Sequence, residues 1–287
     1  MEDKMISINF EKCKHCTVCI NRFKGYCISN ENGNPKIDYM ICNQCQKCIA
    51  ICPHQAILMN GKQPIKIEKP LRIVADDLKE FLKRRRSIKK FKDCKIPREV
   101  LLEIASVAKY APNQNKNIEI IIIDDLELIN KIDRSALKFV LRLYNIFFSM
   151  KFLTSFIQLF SDSLPTIKKK MEFDLHINKH VVKENTQGLY LLIGNPKVPV
   201  TESSAQYLLS TMIIYAEALG IGSCLMDSLK LSINRALAIK NALRIPKGNK
   251  VLGVLAVGYS NECIVNIPQG YEINTSWNRK NTETIVE

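Results

Sequence analysis

The chain has 287 residues, 46% of them apolar and 24% charged, which is enough to bury a substantial core and suits one large domain plus a small one. Its 42 basic residues outnumber 28 acidic ones, giving a formal charge of +14, but no aromatic-interleaved basic motif accompanies that charge, so no nucleic-acid partner is expected. The opening Met1-Glu2-Asp3-Lys4 lacks an apolar signal core and no uncharged run reaches about 18 residues, so no secretory leader and no stable membrane insertion are expected. A cytoplasmic, reducing setting follows as the expectation, and there clustered cysteines bind metal more often than they form disulfides.

Eight of the eleven cysteines lie between Cys13 and Cys52. Ile6 to Phe10 alternates as a short strand. Cys13, Cys16 and Cys19 follow at once, with Cys27 further on. Asn32-Gly33-Asn34-Pro35 reads as a turn and Ile37 to Met40 as a strand leading into Cys42, Cys45, Cys48 and Cys52-Pro53. Triplets of thiols at this spacing wrap several iron corners of one cubane, whereas zinc sites use Cys-x-x-Cys pairs. The second run resembles the bacterial two-cluster ferredoxin pattern C-x2-C-x2-C-x3-C-P. That resemblance implies a small ferredoxin-like α+β domain over residues 1–68 with two 4Fe–4S clusters. Because the fourth cysteine of each run ligates the other cluster in such ferredoxins, it implies one cluster on Cys13, Cys16, Cys19 and Cys52. The other falls to Cys42, Cys45, Cys48 and Cys27. The first run departs from the pattern, with seven residues instead of three between Cys19 and Cys27.

Gly61 to Pro64 and Lys69-Pro70 punctuate the chain and place a second domain over residues 69–287. Asp76-Asp77 opens a helix, with acids at its positive end. The helix runs into Lys83-Arg84-Arg85-Arg86-Ser87-Ile88-Lys89-Lys90-Phe91. Pro97 starts a second helix with an apolar face at Leu101, Ile104, Ala105 and Ala108, closed by Ala111-Pro112. A polar loop, Asn113 to Asn117, precedes a strand at Ile118 to Ile123 that reads as buried. The segment R-R-S-I-K-K-F, followed by Ile96-Pro97 and the helix ending at Ala111-Pro112, resembles the N-terminal signature of the nitroreductase family. The resemblance implies that Arg85, Arg86, Ser87 and Lys89 cradle FMN, with Asn113 and Asn115 as the candidate contacts from the loop. Guanidinium, ammonium and hydroxyl groups suit a phosphate and a flavin edge.

Further on, Phe139, Leu143, Ile146, Met150, Leu153, Ile157 and Phe160 predict one or two amphipathic helices, read as core or dimer packing, a lid, or a membrane-surface contact. His176 and His180 sit four apart, without the carboxylate pattern a metal pair would need. Leu189 to Gly194 is a buried strand. A long helix runs from Ser203 to Gly220, and A-E-A-L-G-I-G-S-C-L-M at its end resembles the family's turn beside the flavin ring. Gly222 and Ser223 are the contacts this implies, while Cys224 reads as a packed residue. Asn234 to Ala242 looks helical, and Val251 to Tyr259 reads as a central strand. Where family members carry a basic residue for the flavin phosphate, this chain has Gly270, leaving Arg279 or Lys280 as substitutes.

The two resemblances together imply an α+β fold: a nitroreductase-like, mostly antiparallel sheet packed by helices, with the ferredoxin-like domain at its N-terminus. They imply an FMN-dependent homodimeric oxidoreductase. Electrons from ferredoxin or NAD(P)H would pass through the clusters to FMN and on to a nitroaromatic, a quinone or a similar small acceptor. No protein acid or nucleophile is required. A non-catalytic electron carrier or redox sensor is the competing reading.

Overall fold

The computed structural model describes residues 5–23, 26–69, 71–112, 117–148, 169, 172, 180–277 and 281–285. The chain divides into two compact units, Met1–Ile73 and Val74–Glu287.

In the first unit, β1 (Ile6–Ile8) is followed by α1 (Val18–Arg22), β2 (Ile28–Glu31), β3 (Asn34–Ile37), α2 (Lys47–Ile51) and β4 (Ile57–Met59). β1 pairs antiparallel with β4, and β2 with β3. The turn is tighter than the sequence suggests. Asn32 and Gly33 both take positive φ and make the whole bend, so Asn34 and Pro35 already belong to β3. Pro35 is tolerated because this two-stranded ribbon has no further neighbour needing its missing N–H. The expected strand over Ile37 to Met40 therefore ends where it was expected to begin. A small core of Ile6, Ile28, Ile37, Cys48, Ile49 and Ile57 holds the unit together.

The second unit begins with α3 (Ala75–Arg84) and α4 (Arg98–Ser106), then β5 (Glu119–Ile123) and the long α5 (Leu126–Phe148). It continues with β6 (Gly188–Gly194), α6 (Thr201–Ala218), β7 (Gly222–Leu225), α7 (Asp227–Arg235), α8 (Leu237–Ala242) and β8 (Lys250–Gly258). A hairpin, β9 (Ile273–Trp277) and β10 (Asn281–Ile285), follows. The main sheet has the order β5-β6-β8-β7 and every pairing in it is antiparallel.

β6 and β8 lie at the centre and bury both faces, which is why they read as unbroken apolar runs. On β6, Leu189, Leu191 and Ile193 face one core, with Ile129 and Ile132 of α5 and Leu229 and Ile233 of α7. Tyr190 and Leu192 face the other, with Leu101 and Ile104 of α4 and Leu208, Leu209 and Met212 of α6. The Tyr190 hydroxyl donates to the Leu101 carbonyl at 2.9 Å, satisfying its polar end inside that core. The register shifts between Leu192 and Ile193, a bulge that puts one extra residue in β8. Gly253 sits there, and a Cβ on it would lie 2.2 Å from Leu209 Cδ1, so α6 packs against bare backbone.

Several expectations change in detail. β5 is an edge strand with one neighbour and is only partly buried, not a core strand. Gly222–Leu225 is a strand where the sequence suggests a turn, and a helix begins at Asp227 ahead of the stretch expected from Asn234. The apolar stretch beyond Phe148 lies outside the described residues. None of the described helices is long and apolar enough to cross a membrane.

Candidate functional site

In the second unit α3 ends at Arg84, and the next residues cross to the sheet. Ser87 bridges Ser223 of β7 in parallel, and the Ile88 amide donates to the Ser223 carbonyl at 2.9 Å. The basic segment and the glycine turn, far apart in sequence, thereby become neighbouring strands. A cleft of about 350 Å³ opens beside this junction. Arg85, Ser87 and Ser223 line it with Leu82, Leu225 and one side of α6: Gln206, Leu209, Ser210, Ile213 and Ile214. Arg85 is half-buried and is the one charged side chain among these lining residues.

The other sequence candidates are placed differently. Arg86 turns back on the chain, its guanidinium donating to the Arg85 carbonyl at 2.6 Å. The amides of Lys89 and Lys90 both donate to the Glu262 carboxylate, at 2.7 and 2.8 Å, and the Lys89 side chain is exposed away from the cleft lining. Gly222 is required by packing: a Cβ there would meet Ile88 Cγ1 at 2.7 Å. Asn113 and Asn115 lie outside the described residues, as do Arg279 and Lys280. Cys224 points into the core on the opposite side of β7 from Ser223, and burial pushes its thiol up.

Gln206 and Ser210 are cleft residues that motif reading misses. Their signal is modest, two polar side chains one turn apart beside the apolar Leu209, Ile213 and Ile214. Of the histidine pair, His176 lies outside the described residues. His180 hydrogen-bonds Asp133 at 2.7 Å through Nδ1, while the same buried carboxylate accepts the Val181 and Val182 amides at 2.7 and 2.8 Å. That arrangement ties the buried Val181 and Val182 to α5.

In the first unit both cysteine runs adopt the same backbone. His15 and Gln44, just before the second cysteine of each run, have positive φ, and so do Thr17 and Gln46 just after it. Thr17 and Gln46 then cap the five-residue helices α1 and α2. Such turns curl the chain around a centre and are the kind of concavity that receives anions and iron–sulfur cores. Cys13, Cys16, Cys19 and Cys52 all line one shallow pocket. The Ala56 amide donates to Cys52 Sγ at 3.3 Å. Burial raises the Cys19 thiol, opposed by backbone hydrogen bonds, with Cys52 and Cys13 as the neighbouring thiols that add to the rise.

Cys27 belongs spatially with the second run. Its carbonyl accepts the Asp38 amide at 2.7 Å, so the β2–β3 hairpin returns the chain to within a few residues of Cys42. The Cys27 thiol is pushed up to about 11, first by burial, then by its hydrogen bond to Cys42 and the proximity of Cys42 and Cys48. Burial also pushes Cys48 up to about 11, with Cys42 and Cys45 contributing. Among the described residues no group of three or more His, Cys, Asp or Glu side chains converges on a single metal-ion position. A mononuclear zinc site would need sulfurs at about 2.3 Å from a shared centre. Cys13, Cys16, Cys19 and Cys52 share one pocket, while Cys27 and Cys48 each neighbour Cys42.

The second unit is thus an antiparallel α+β sheet with helices on both faces and a cleft holding one arginine beside its β7 edge. Residues 82–150 and 196–259 match the model of the Nitroreductase family, and the second unit has the fold of a nitroreductase-type oxidoreductase. Among solved structures, a nitroreductase with bound FMN from Desulfitobacterium hafniense is 16% identical at a TM-score of 0.53, covering 74% of this chain and 99% of that one. A nitroreductase with bound FMN from Bacteroides fragilis is 19% identical at a TM-score of 0.47, with coverages of 74% and 99%. The indolepyruvate oxidoreductase subunit IorA of Methanothermobacter marburgensis is 36% identical over 58 residues, which are 20% of this chain and only 9% of that curated relative.

Proposed function

We propose that this protein is an iron–sulfur flavoprotein oxidoreductase. The observation that carries the reading is the meeting of Arg85, Ser87 and Ser223 at one cleft beside the β7 edge. Its size falls in the usual range for small-molecule and cofactor sites. Arg85 would hold an anionic part of FMN, and Ser87 and Ser223 would offer hydroxyl partners. Leu82, Leu209, Ile213 and Ile214 would exclude water from the ring. The FMN bound by the Desulfitobacterium hafniense nitroreductase compared above supports this choice of cofactor.

Residues 1–68 form the cluster domain in this reading and residues 69–287 the flavin domain. Cys13, Cys16, Cys19 and Cys52 would hold one 4Fe–4S cluster, and Cys42, Cys45, Cys48 and Cys27 the other. The repeated left-handed turns and the two thiol sets support that pairing. When bound, the clusters supply one-electron transfer, and FMN supplies two-electron storage and delivery of a hydride equivalent. The donor would be ferredoxin or NAD(P)H and the acceptor a nitroaromatic, a quinone or a similar small oxidised molecule, in the cytoplasm. Exposed apolar residues beside the cleft, Tyr207, Ile214 and Leu225, support a homodimer, since α6 is apolar on both sides.

Steady-state reduction of a nitroaromatic by the anaerobic holoprotein, with reduced ferredoxin or NAD(P)H as donor, tests the enzyme reading. Turnover that depends on bound FMN is the expected result. A flavin that is reduced but never turns over an acceptor would instead identify an electron carrier.

A further inference from the structure

We infer that Glu262 is a positioning residue for the flavin cradle: one oxygen of its carboxylate holds the backbone amides of Lys89 and Lys90 and so fixes the segment that carries Arg85 and Ser87. This rests on the flavin reading above. Oε1 of Glu262 accepts both amides, at 2.7 Å from Lys89 and 2.8 Å from Lys90. The end of β8 brings it there. Past Gly258 the chain pairs antiparallel with the basic segment: Phe91 bridges Ser260, the Lys92 amide donates to the Tyr259 carbonyl at 2.8 Å, and the Asn261 amide donates to the Lys90 carbonyl at 3.0 Å. Ser260 then bends the chain, its hydroxyl donating to the Glu262 carbonyl and accepting the Glu262 amide, both at 3.1 Å. The half-buried Glu262 side chain takes over where that backbone pairing stops.

Every amide from Ile88 to Lys92 donates to an acceptor outside the segment. Ile88 donates to the Ser223 carbonyl at 2.9 Å, Phe91 to the Glu184 carbonyl at 3.2 Å, and Lys92 to Tyr259. The two amides between Ile88 and Phe91 go to Glu262. Lys89 and Lys90 are exposed, so without the carboxylate water would satisfy their amides. The loss would then fall on the fixed course of the chain, because one oxygen shared by successive amides restrains two peptide planes at once. Just upstream, Arg85 and Ser87 line the cleft, and Glu262 does not, so its effect on a bound flavin passes through the backbone. A segment held in place beforehand has less freedom to lose when the flavin binds. The position of the oxygen matters here more than the charge it carries.

The test compares wild type with Glu262→Gln, Glu262→Asp and Glu262→Ala in the full chain, by amide hydrogen exchange over residues 85–91 and by FMN affinity from flavin fluorescence. Glutamine keeps the acceptor oxygen and loses the charge. Aspartate keeps the charge and draws the oxygen back by about 1.5 Å. Alanine loses both. Glu262→Gln is expected to stay close to wild type in both readouts. Glu262→Asp and Glu262→Ala should exchange faster in that segment and bind FMN about three- to tenfold more weakly. Wild-type exchange and affinity in Glu262→Ala overturn the inference. So does the reverse order, with glutamine displaced and aspartate not, which would assign the effect to charge. Faster exchange spread evenly over the second unit, with FMN affinity unchanged, also overturns it, since that is general destabilisation. Should Glu262→Ala fail to fold, the contrast between glutamine and aspartate decides alone. If wild type binds FMN and any overturning result occurs, the inference alone fails. If wild type binds no flavin, the flavin reading fails, and exchange over residues 85–91 still decides whether Glu262 holds the segment.

Discussion

Cys27 shows how a ligand assignment depends on neighbours instead of spacing. Its thiol is raised because burial and the sulfurs of Cys42 and Cys48 all oppose a thiolate. A bound iron–sulfur core reverses that preference, since its ligands must be deprotonated. Cys27→Ala should remove iron from the second cluster and spare the first, read as a drop of about half in iron and sulfide content. Two intact clusters in that variant would show the pairing to be wrong. Arg85→Gln removes a charge-assisted contact worth about 1.5–3 kcal/mol, so FMN affinity measured by flavin fluorescence should fall about 10- to 100-fold. Cys224 behaves as packing. Anaerobic alkylation of the native holoprotein followed by mass spectrometry should label exposed Cys94 and Cys263 first and leave Cys224 protected. Its raised folded pKa also gives a sign for pH: the contribution is complete below the unfolded thiol value of about 8.5 and lost as pH rises through the folded one. Cys224→Ala should remove that part of any alkaline loss of stability, measured by urea unfolding across pH.

At the scale of elements, the junction between Ser87 and β7 builds the cleft, and two glycines permit it. Gly222→Ala places a methyl 2.7 Å from Ile88 Cγ1, so the 85–89 segment must shift away from β7. A loss of about 1–3 kcal/mol in urea unfolding is expected, typical of overpacking. Gly253→Ala instead displaces Leu209, which packs over that glycine and also lines the cleft, so stability and FMN affinity should fall together. Neither steric role can be read from sequence, where Gly222 suggests only a close approach to a ligand. The helices after Pro97 and before Gly220 are legible because their apolar residues recur at helical spacing, and β6 and β8 are legible as long apolar runs. β7 is not, since four residues beside a helix end carry too little pattern. Arg85, Ser87 and Ser223 are legible as motif residues, but their meeting is a property of the sheet. Gln206 and Ser210 acquire meaning only once α6 is laid along the cleft.

For the whole molecule, the two units differ in what sustains them. Among the described residues the first has a core cluster of six buried residues, Cys48 among them, with Cys19, Cys42 and Cys52 packed against it. The second has two extensive cores, one on each face of the sheet. Small domains with little buried surface depend on metal or crosslinks. Removal of iron by a chelator should therefore melt the first unit and leave the second unit's thermal transition in place, seen by calorimetry as loss of one of two transitions. The large formal charge also looks different at this scale, because two thiolate-ligated clusters and a flavin phosphate would each cancel part of it.

The most direct test of the central claim is quantification of iron, sulfide and FMN on anaerobically purified protein, with its visible and electron-paramagnetic spectra before and after reduction. The account predicts iron and sulfide at the level of two 4Fe–4S clusters, one FMN per chain, and reduction of both cofactor types by a one-electron donor. Protein that holds iron but no flavin, or flavin but no iron–sulfur signal, would contradict it.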